Sequence, residues 1–236
     1  MQRYFASVNK DNIILSKDDA FHLLKVMRAK IDDEIIAIDK EELYLGKVIS
    51  LNPLIISNLG IYQEENRELK VKTTLFFALA KGDKIDFVIQ KATELGVSRI
   101  VLIKTERSIV KISQDDFIRK LPRYLSISKE ASEQCRRRTI PEIIYLDNIK
   151  NIPSSMLADI NYVAYEEDAF SKVNFFASKE AKSVSLLIGP EGGLSIEEVN
   201  TLVAQGFKRI SLGKRILRTE TAALVGLAMI NMVVEQ

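Results

Sequence analysis

Beyond residue 70, short apolar runs alternate with amphipathic stretches, and this alternation limits the fold more than any other feature of the chain. Residues 71–80 read as a strand, continuously apolar from Leu75 onward. Residues 83–95 read as a helix that stops at Gly96, with Ile85, Val88, Ile89 and Ala92 recurring on one helical face. A strand over 99–104 comes next, then a long helix over 115–136 with Pro122 as a kink or entry point. Strands near 142–146, 162–165 and 184–188 follow. A helix over 195–205 stopped by Gly206, a strand over 209–212 and a helix over 219–234 complete the pattern. Parallel strands need crossover helices, so the alternation predicts an α/β fold with a mostly parallel sheet covered by helices.

The first 70 residues follow a different rhythm. Short apolar runs at Tyr4–Val8, Ile13–Leu15, Glu34–Asp39, Leu43–Ile49 and residues 54–57 are closely spaced, which suggests a small β-barrel. One helix is expected over 18–28, where Ala20, Phe21, Leu24 and Met27 share a face. The polar stretch 63–70 is the best linker candidate. The division expected is therefore 1–70 and 71–236.

Composition mainly excludes. A hydrophobic fraction of 47% with 28% charged residues is ordinary for a soluble globular protein. The net charge of +2 announces no nucleic-acid partner by itself; residues 1–70 carry ten Lys and Arg against twelve Asp and Glu, leaving +4 on the rest. A single cysteine, Cys135, precludes an intramolecular disulfide. With His22 the only histidine, no Cys/His metal site is expected. The first residues lack the long apolar core of a signal peptide, and the apolar run 222–232 is too short to span a bilayer. These readings predict a cytoplasmic protein without membrane or metal partners.

Two segments each run from an apolar strand through a loop into a helix. In the first, Val184, Leu186, Leu187 and Ile188 end at Gly189-Pro-Glu-Gly-Gly193, and Ser195 with Glu198 forms a capping-box pattern. In the second, Ile210 and Leu212 end at Gly213, and a helix starts near Thr219. A phosphate-binding P-loop is disfavoured, because no Lys-Ser/Thr pair follows the glycines. A plain turn with a helix cap remains open on turn chemistry alone. Two such loops at strand ends in one α/β domain otherwise suggest a ligand crevice.

Gly189-Pro-Glu-Gly-Gly-Leu194, followed by Leu212-Gly-Lys-Arg-Ile-Leu-Arg-Thr-Glu-Thr-Ala222, resembles the RsmE group of SPOUT methyltransferases. Lys81-Gly-Asp-Lys84, Gln90-Lys-Ala-Thr-Glu-Leu-Gly-Val97, Glu106-Arg-Ser108 and Glu133-Gln-Cys135 extend the likeness in family order over most of the chain. The resemblance implies a C-terminal SPOUT domain with a trefoil knot and a small N-terminal PUA-like RNA-binding β-barrel. It implies S-adenosyl-L-methionine (AdoMet) as the methyl donor, with Gly189, Glu191, Gly192, Gly193, Leu212, Gly213, Ile216 and Leu217 around it. Tyr165 and Glu166, just past another strand, are further candidates. Arg136 stands where the family usually has glycine, and Lys214 where it has proline.

The reaction so implied is methyl transfer to N3 of a uridine in 16S rRNA, free or in the assembled small ribosomal subunit. Alternatives are another RNA, either tRNA or 23S rRNA, or a non-catalytic RNA-binding assembly factor. The N3 imide must lose a proton to become nucleophilic, so the site needs a base or cations that stabilise the uracil anion. Arg107 and Arg218 are the cation candidates, with Glu133 and Glu220 to orient them or to accept the proton through water. Arg218 could equally pair with Glu220 in a structural role.

RNA contacts are expected at Arg3, His22, Arg28, Arg136, Arg137, Arg138 and Arg215, since arginine forks fit phosphate geometry. A solvated helix face is the plainer reading of the charged run 115–138. Cys135 is read as a small buried residue, because no neighbouring histidine could activate it. His22 is read as a packed helix residue or an RNA contact. The helix over 219–234 is apolar nearly all round, so a second surface must cover part of it; a homodimer is expected.

Overall fold

The computed structural model describes residues 1–168 and 181–235. They form two compact units, Met1–Glu68 with Ser132–Thr139, and Leu69–Ala131 with Ile140–Gln236.

The first unit contains β1 (Gln2–Phe5), β2 (Ser7–Val8), β3 (Asn12–Ile14), α1 (Lys17–Phe21), β4 (Glu34–Asp39), β5 (Glu42–Leu51) and β6 (Leu54–Ile61). They make one six-stranded sheet in the order β1-β4-β5-β6-β3-β2. Every pairing is antiparallel except β1 with β4. The sheet curls until the Val8 amide on β2 donates to Asp39 of β4 at 3.0 Å. Tyr4, Ile13, Leu23, Ile35, Ala37, Val48 and Ile56 fill the space it encloses.

The helix expected over 18–28 is broken. Ser16 caps α1, accepting from the Asp19 amide at 3.1 Å and donating to its carboxylate at 2.7 Å. After five residues a π-helical turn over His22–Val26 takes over. The wider turn shifts which side faces inward, so Leu23 is buried while Phe21 and Met27, assigned to the apolar face by spacing, are exposed. Arg28 then leaves in the left-handed region, at φ 55°.

The second unit contains β7 (Lys72–Ala78), α2 (Lys84–Glu94), β8 (Arg99–Ile103), α3 (Gln114–Gln134) and β9 (Glu142–Leu146). It continues with β10 (Ile160–Ala164), β11 (Ser183–Ile188), α4 (Ile196–Ala204), β12 (Phe207–Ile210) and α5 (Thr219–Val234). The last three residues of α3 count with the first unit. All strand pairs here are parallel, in the order β12-β10-β11-β7-β8-β9. The period of two along each strand divides its side chains between two cores. Leu75, Phe77, Ile100, Leu102, Leu186 and Ile188 join the core formed with α2, α3 and α5. Phe76, Val101, Ile103 and Leu187 join the one formed with α4. Burial on both faces is why these strands read as continuous apolar runs.

Ala223, Gly226, Leu227 and Ile230 give α5 its buried side. A Cβ on Gly226 would come within 2.5 Å of Leu186, so this glycine sets how closely helix and sheet approach. Leu224, Val225 and Met229 are only half-buried, and Met232 is 66% exposed. Among the described residues, no helix is long and apolar enough to cross a membrane.

Candidate active site

The loops after β10, β11 and β12, with the start of α2 after β7, all leave from the C-terminal ends of the sheet. That is where an open parallel sheet presents a crevice. They line a cavity of about 570 Å³. Each sequence-derived cofactor candidate is on its wall: Gly189, Glu191, Gly192, Gly193, Leu212, Gly213, Ile216, Leu217, Tyr165 and Glu166. Ile188, Leu212, Leu217 and Ala222 supply apolar surface, and the exposed Arg215 and Arg218 also line the cavity.

The first loop is held by local chemistry. Pro190 accepts from the Gly193 amide at 3.0 Å, closing a tight turn, and Gly193 sits at φ 68°. The Ser195 capping box is present, with Glu198 accepting from the Ser195 amide at 3.0 Å. The buried Glu198 carboxylate also accepts from the Glu106 amide at 2.7 Å, which docks the loop after β8. From that loop Arg107 donates to the Gly192 carbonyl at 3.3 Å. The two strand-end loops are joined directly, because the Thr219 hydroxyl donates to the Gly189 carbonyl at 2.7 Å.

Sequence reasoning passed over Lys84 as a site residue. Its ammonium lies 2.9 Å from Glu191 and 3.3 Å from Glu220, and it lines the cavity. Burial would raise the Glu191 carboxyl, but Lys84 and the Lys81 amide outweigh it and hold its pKa below the ordinary carboxylate value. The available signal was its place at the end of a strand-loop-helix segment, as with the other two loops.

Of the catalytic candidates, Arg218 lines the cavity at the N-cap of α5, Glu220 follows in the first helical turn, and Arg107 reaches Gly192. Glu133 belongs to the first unit and accepts from the Phe5 amide at 3.0 Å. The RNA candidates of the first unit divide by exposure. Arg3 is buried and ion-paired with Glu64. Arg137 is 4% exposed and forks onto Glu68, with its Nε at 3.1 Å and a terminal nitrogen at 2.8 Å. Arg138 donates its amide to Glu68 at 2.8 Å and its guanidinium to the Glu64 carbonyl at 2.5 Å. Arg136 is exposed and reaches Glu64 with one terminal nitrogen at 3.4 Å; Arg28 is exposed, as is Arg215 in the second unit. Tyr4, pushed up to about 12 by burial and then by Glu133 and Asp19, keeps its proton and faces Nδ1 of the half-buried His22 at 2.9 Å.

Residues 67–231 match the RNA methyltransferase domain family, and residues 15–56 match the RNA methyltransferase PUA domain. The ribosomal RNA small subunit methyltransferase E of Bacillus subtilis is 35% identical, across 98% of this chain and 96% of that one. A methyltransferase from Legionella pneumophila, solved with its bound cofactor SAM, superposes with a TM-score of 0.88 at 29% identity; the match covers 98% of this chain and 96% of that one. The Neisseria gonorrhoeae ribosomal RNA small subunit methyltransferase E bound to S-adenosyl methionine gives 0.84 at 26% identity, covering 99% and 98%. The cavity sits among the loops that carry the sequence motifs, and the match spans nearly the whole chain: this chain belongs to the RNA methyltransferase family, among the ribosomal RNA small subunit methyltransferases E.

Proposed function

We propose that the cavity binds AdoMet and that the enzyme transfers its methyl group to N3 of a uridine in 16S rRNA. The observation that carries this reading is the convergence of both family motif loops on one cavity, combined with SAM-bound structures of similar chains. The walls fit such a molecule. Ile188, Leu212, Leu217 and Ala222 offer apolar surface to a base ring. Glu166 and Glu191 offer carboxylates to hydroxyl or ammonium groups. A side chain on Gly193 would collide with Glu166 and crowd the same space.

Bound AdoMet supplies an electrophilic methyl on a cationic sulfur. The chain's own residues must then favour loss of the N3 proton. Arg218 on the cavity wall and Arg107 beside Gly192 bring positive charge to an anion developing there. Glu220 is the carboxylate nearest to Arg218 in sequence and accepts the proton through water. Glu133, engaged by the Phe5 amide, orients the first unit's β1.

The first unit, which includes the PUA-domain match, presents the RNA; the second performs the transfer. Exposed Arg28, Arg136 and Arg215 contact phosphate, while Arg3, Arg137 and Arg138 hold the first unit together. The half-exposed apolar side of α5 packs against a second copy, giving a homodimer, and a ribosomal RNA substrate puts the enzyme in the cytoplasm. Calorimetry with AdoMet, followed by mapping of the methyl group on 16S rRNA from a deletion strain with and without the gene, tests the reading. Binding and a restored N3-methyluridine are expected; no heat, or a methyl group on another RNA, overturns it.

A further inference from the structure

We propose that Lys84 is a positioning residue that clamps the AdoMet pocket closed by holding Glu191 and Glu220 on one ammonium. The proposal rests on the AdoMet reading of the cavity, but its geometry stands apart from any ligand. Lys84 opens α2, Glu191 lies in the loop after β11, and Glu220 lies in the first turn of α5. Three chain segments, one of them more than a hundred residues from the other two, thus meet at one nitrogen, with oxygens at 2.9 Å and 3.3 Å.

Local chemistry argues against a lysine at that place. The first turn of a helix carries partial positive charge and favours Asp or Glu. Asp83, at the N-cap of α2, makes no side-chain capping bond. A cation placed there against the helix dipole needs partners from elsewhere, and the two carboxylates supply them. The hydrogen bond from Thr219 to Gly189 also ties the two motif loops directly. Lys84 adds a second tie and joins α2 to both.

The clamp makes a pH signature predictable. Lys84 faces Glu191 and Glu220, and Glu166, Arg215 and Arg218 line the same cavity. With Lys84→Met, two carboxylates remain within reach of one vacated point. Without the ammonium between them, their mutual repulsion favours one carboxyl keeping its proton to higher pH than in wild type. A carboxyl raised in the folded state supports folding at low pH, and that support is lost as pH rises through its folded pKa.

The test uses the full chain and two readouts. Thermal unfolding without ligand is followed from pH 5 to 8 for wild type, Lys84→Met, Lys84→Arg and Lys84→Met/Glu220→Gln, and AdoMet affinity is measured by calorimetry at both ends. Lys84→Met should lose stability relative to wild type as pH rises and bind AdoMet at least tenfold more weakly at pH 8 than wild type, with part of the loss recovered at pH 5. Lys84→Arg and the double variant should follow the wild-type pH profile. Parallel unfolding profiles for wild type and Lys84→Met overturn the clamp. Equal AdoMet affinity of those two proteins at pH 8 overturns its role in the pocket. Failure of wild type to bind AdoMet, with the pH signature intact, overturns the AdoMet reading and leaves the clamp standing.

Discussion

The Glu166 carboxylate occupies the space that a side chain on Gly193 would need. Both residues line the cavity, and Gly193 holds φ at 68°. An L-residue there costs about 1–2 kcal/mol in backbone strain alone, before Glu166 is displaced. Gly193→Val should therefore weaken AdoMet binding at least tenfold, while the first unit keeps its unfolding transition. Calorimetry giving the wild-type affinity would remove this loop from the ligand's contacts.

The three consecutive arginines should behave differently from one another. Arg136 is exposed and takes φ 66°, a left-handed conformation at the position where the family pattern has glycine. Arg136→Gly relieves that strain and removes the guanidinium together. Stability should change by less than about 1 kcal/mol. The slope of log affinity for RNA against log salt should flatten by roughly one. Arg137→Ser should instead unfold the first unit more easily, by about 3 kcal/mol, because it leaves the partly buried Glu68 without its main partner. Denaturant melts and filter binding across a salt series separate the two; an unchanged salt slope for Arg136→Gly returns it to a solvated surface charge.

Acid should weaken the first unit through Glu68. Burial raises its carboxyl, but the Arg137 fork, the Arg138 amide and Thr139 more than compensate, and its pKa lies below the ordinary value of 4.5. The folded pKa is depressed, so this contribution is fully present above pH 4.5 and is lost as pH falls through the folded value. Glu68→Gln should be less stable than wild type at pH 7, with the gap narrowing on acidification below that value. A gap that stays constant from pH 7 to pH 3 contradicts the linkage.

Met232 is 66% exposed on a helix whose neighbouring positions Leu224, Val225 and Met229 are only half-buried. Burying an apolar side chain of this size in an interface contributes about 1.5–3 kcal/mol. Met232→Glu should accordingly raise the dimer dissociation constant by roughly ten- to a hundredfold. Sedimentation of wild type as a monomer at micromolar concentration would sink the dimer, and an unchanged constant for the variant would move the interface off this face.

Periodicity exposed the sheet because strands buried on both faces are apolar throughout. Leu75, Phe76 and Phe77 belong to alternate cores yet all had to be hydrophobic. The cavity loops were legible for a related reason: glycines at strand ends, a Ser195–Glu198 cap and a run of motif residues are local chemistry written in consecutive positions. The helix over 18–28 was misread at its face, since the switch to a π turn at His22 leaves no mark on apolar spacing. Which partners Arg137 and Lys84 take was not legible in the sequence, although both positions fell in segments it singled out. A guanidinium is the same group on a solvated helix or against Glu68, and an ammonium at the start of α2 acquires its role only when Glu191 and Glu220 arrive from distant strands. Most strands, helices and tight turns could be read along the chain, because they depend on neighbours a few residues away. Which charges meet is set by the folded arrangement alone, because Coulomb and hydrogen-bond partners are chosen by distance in space and not by distance along the chain.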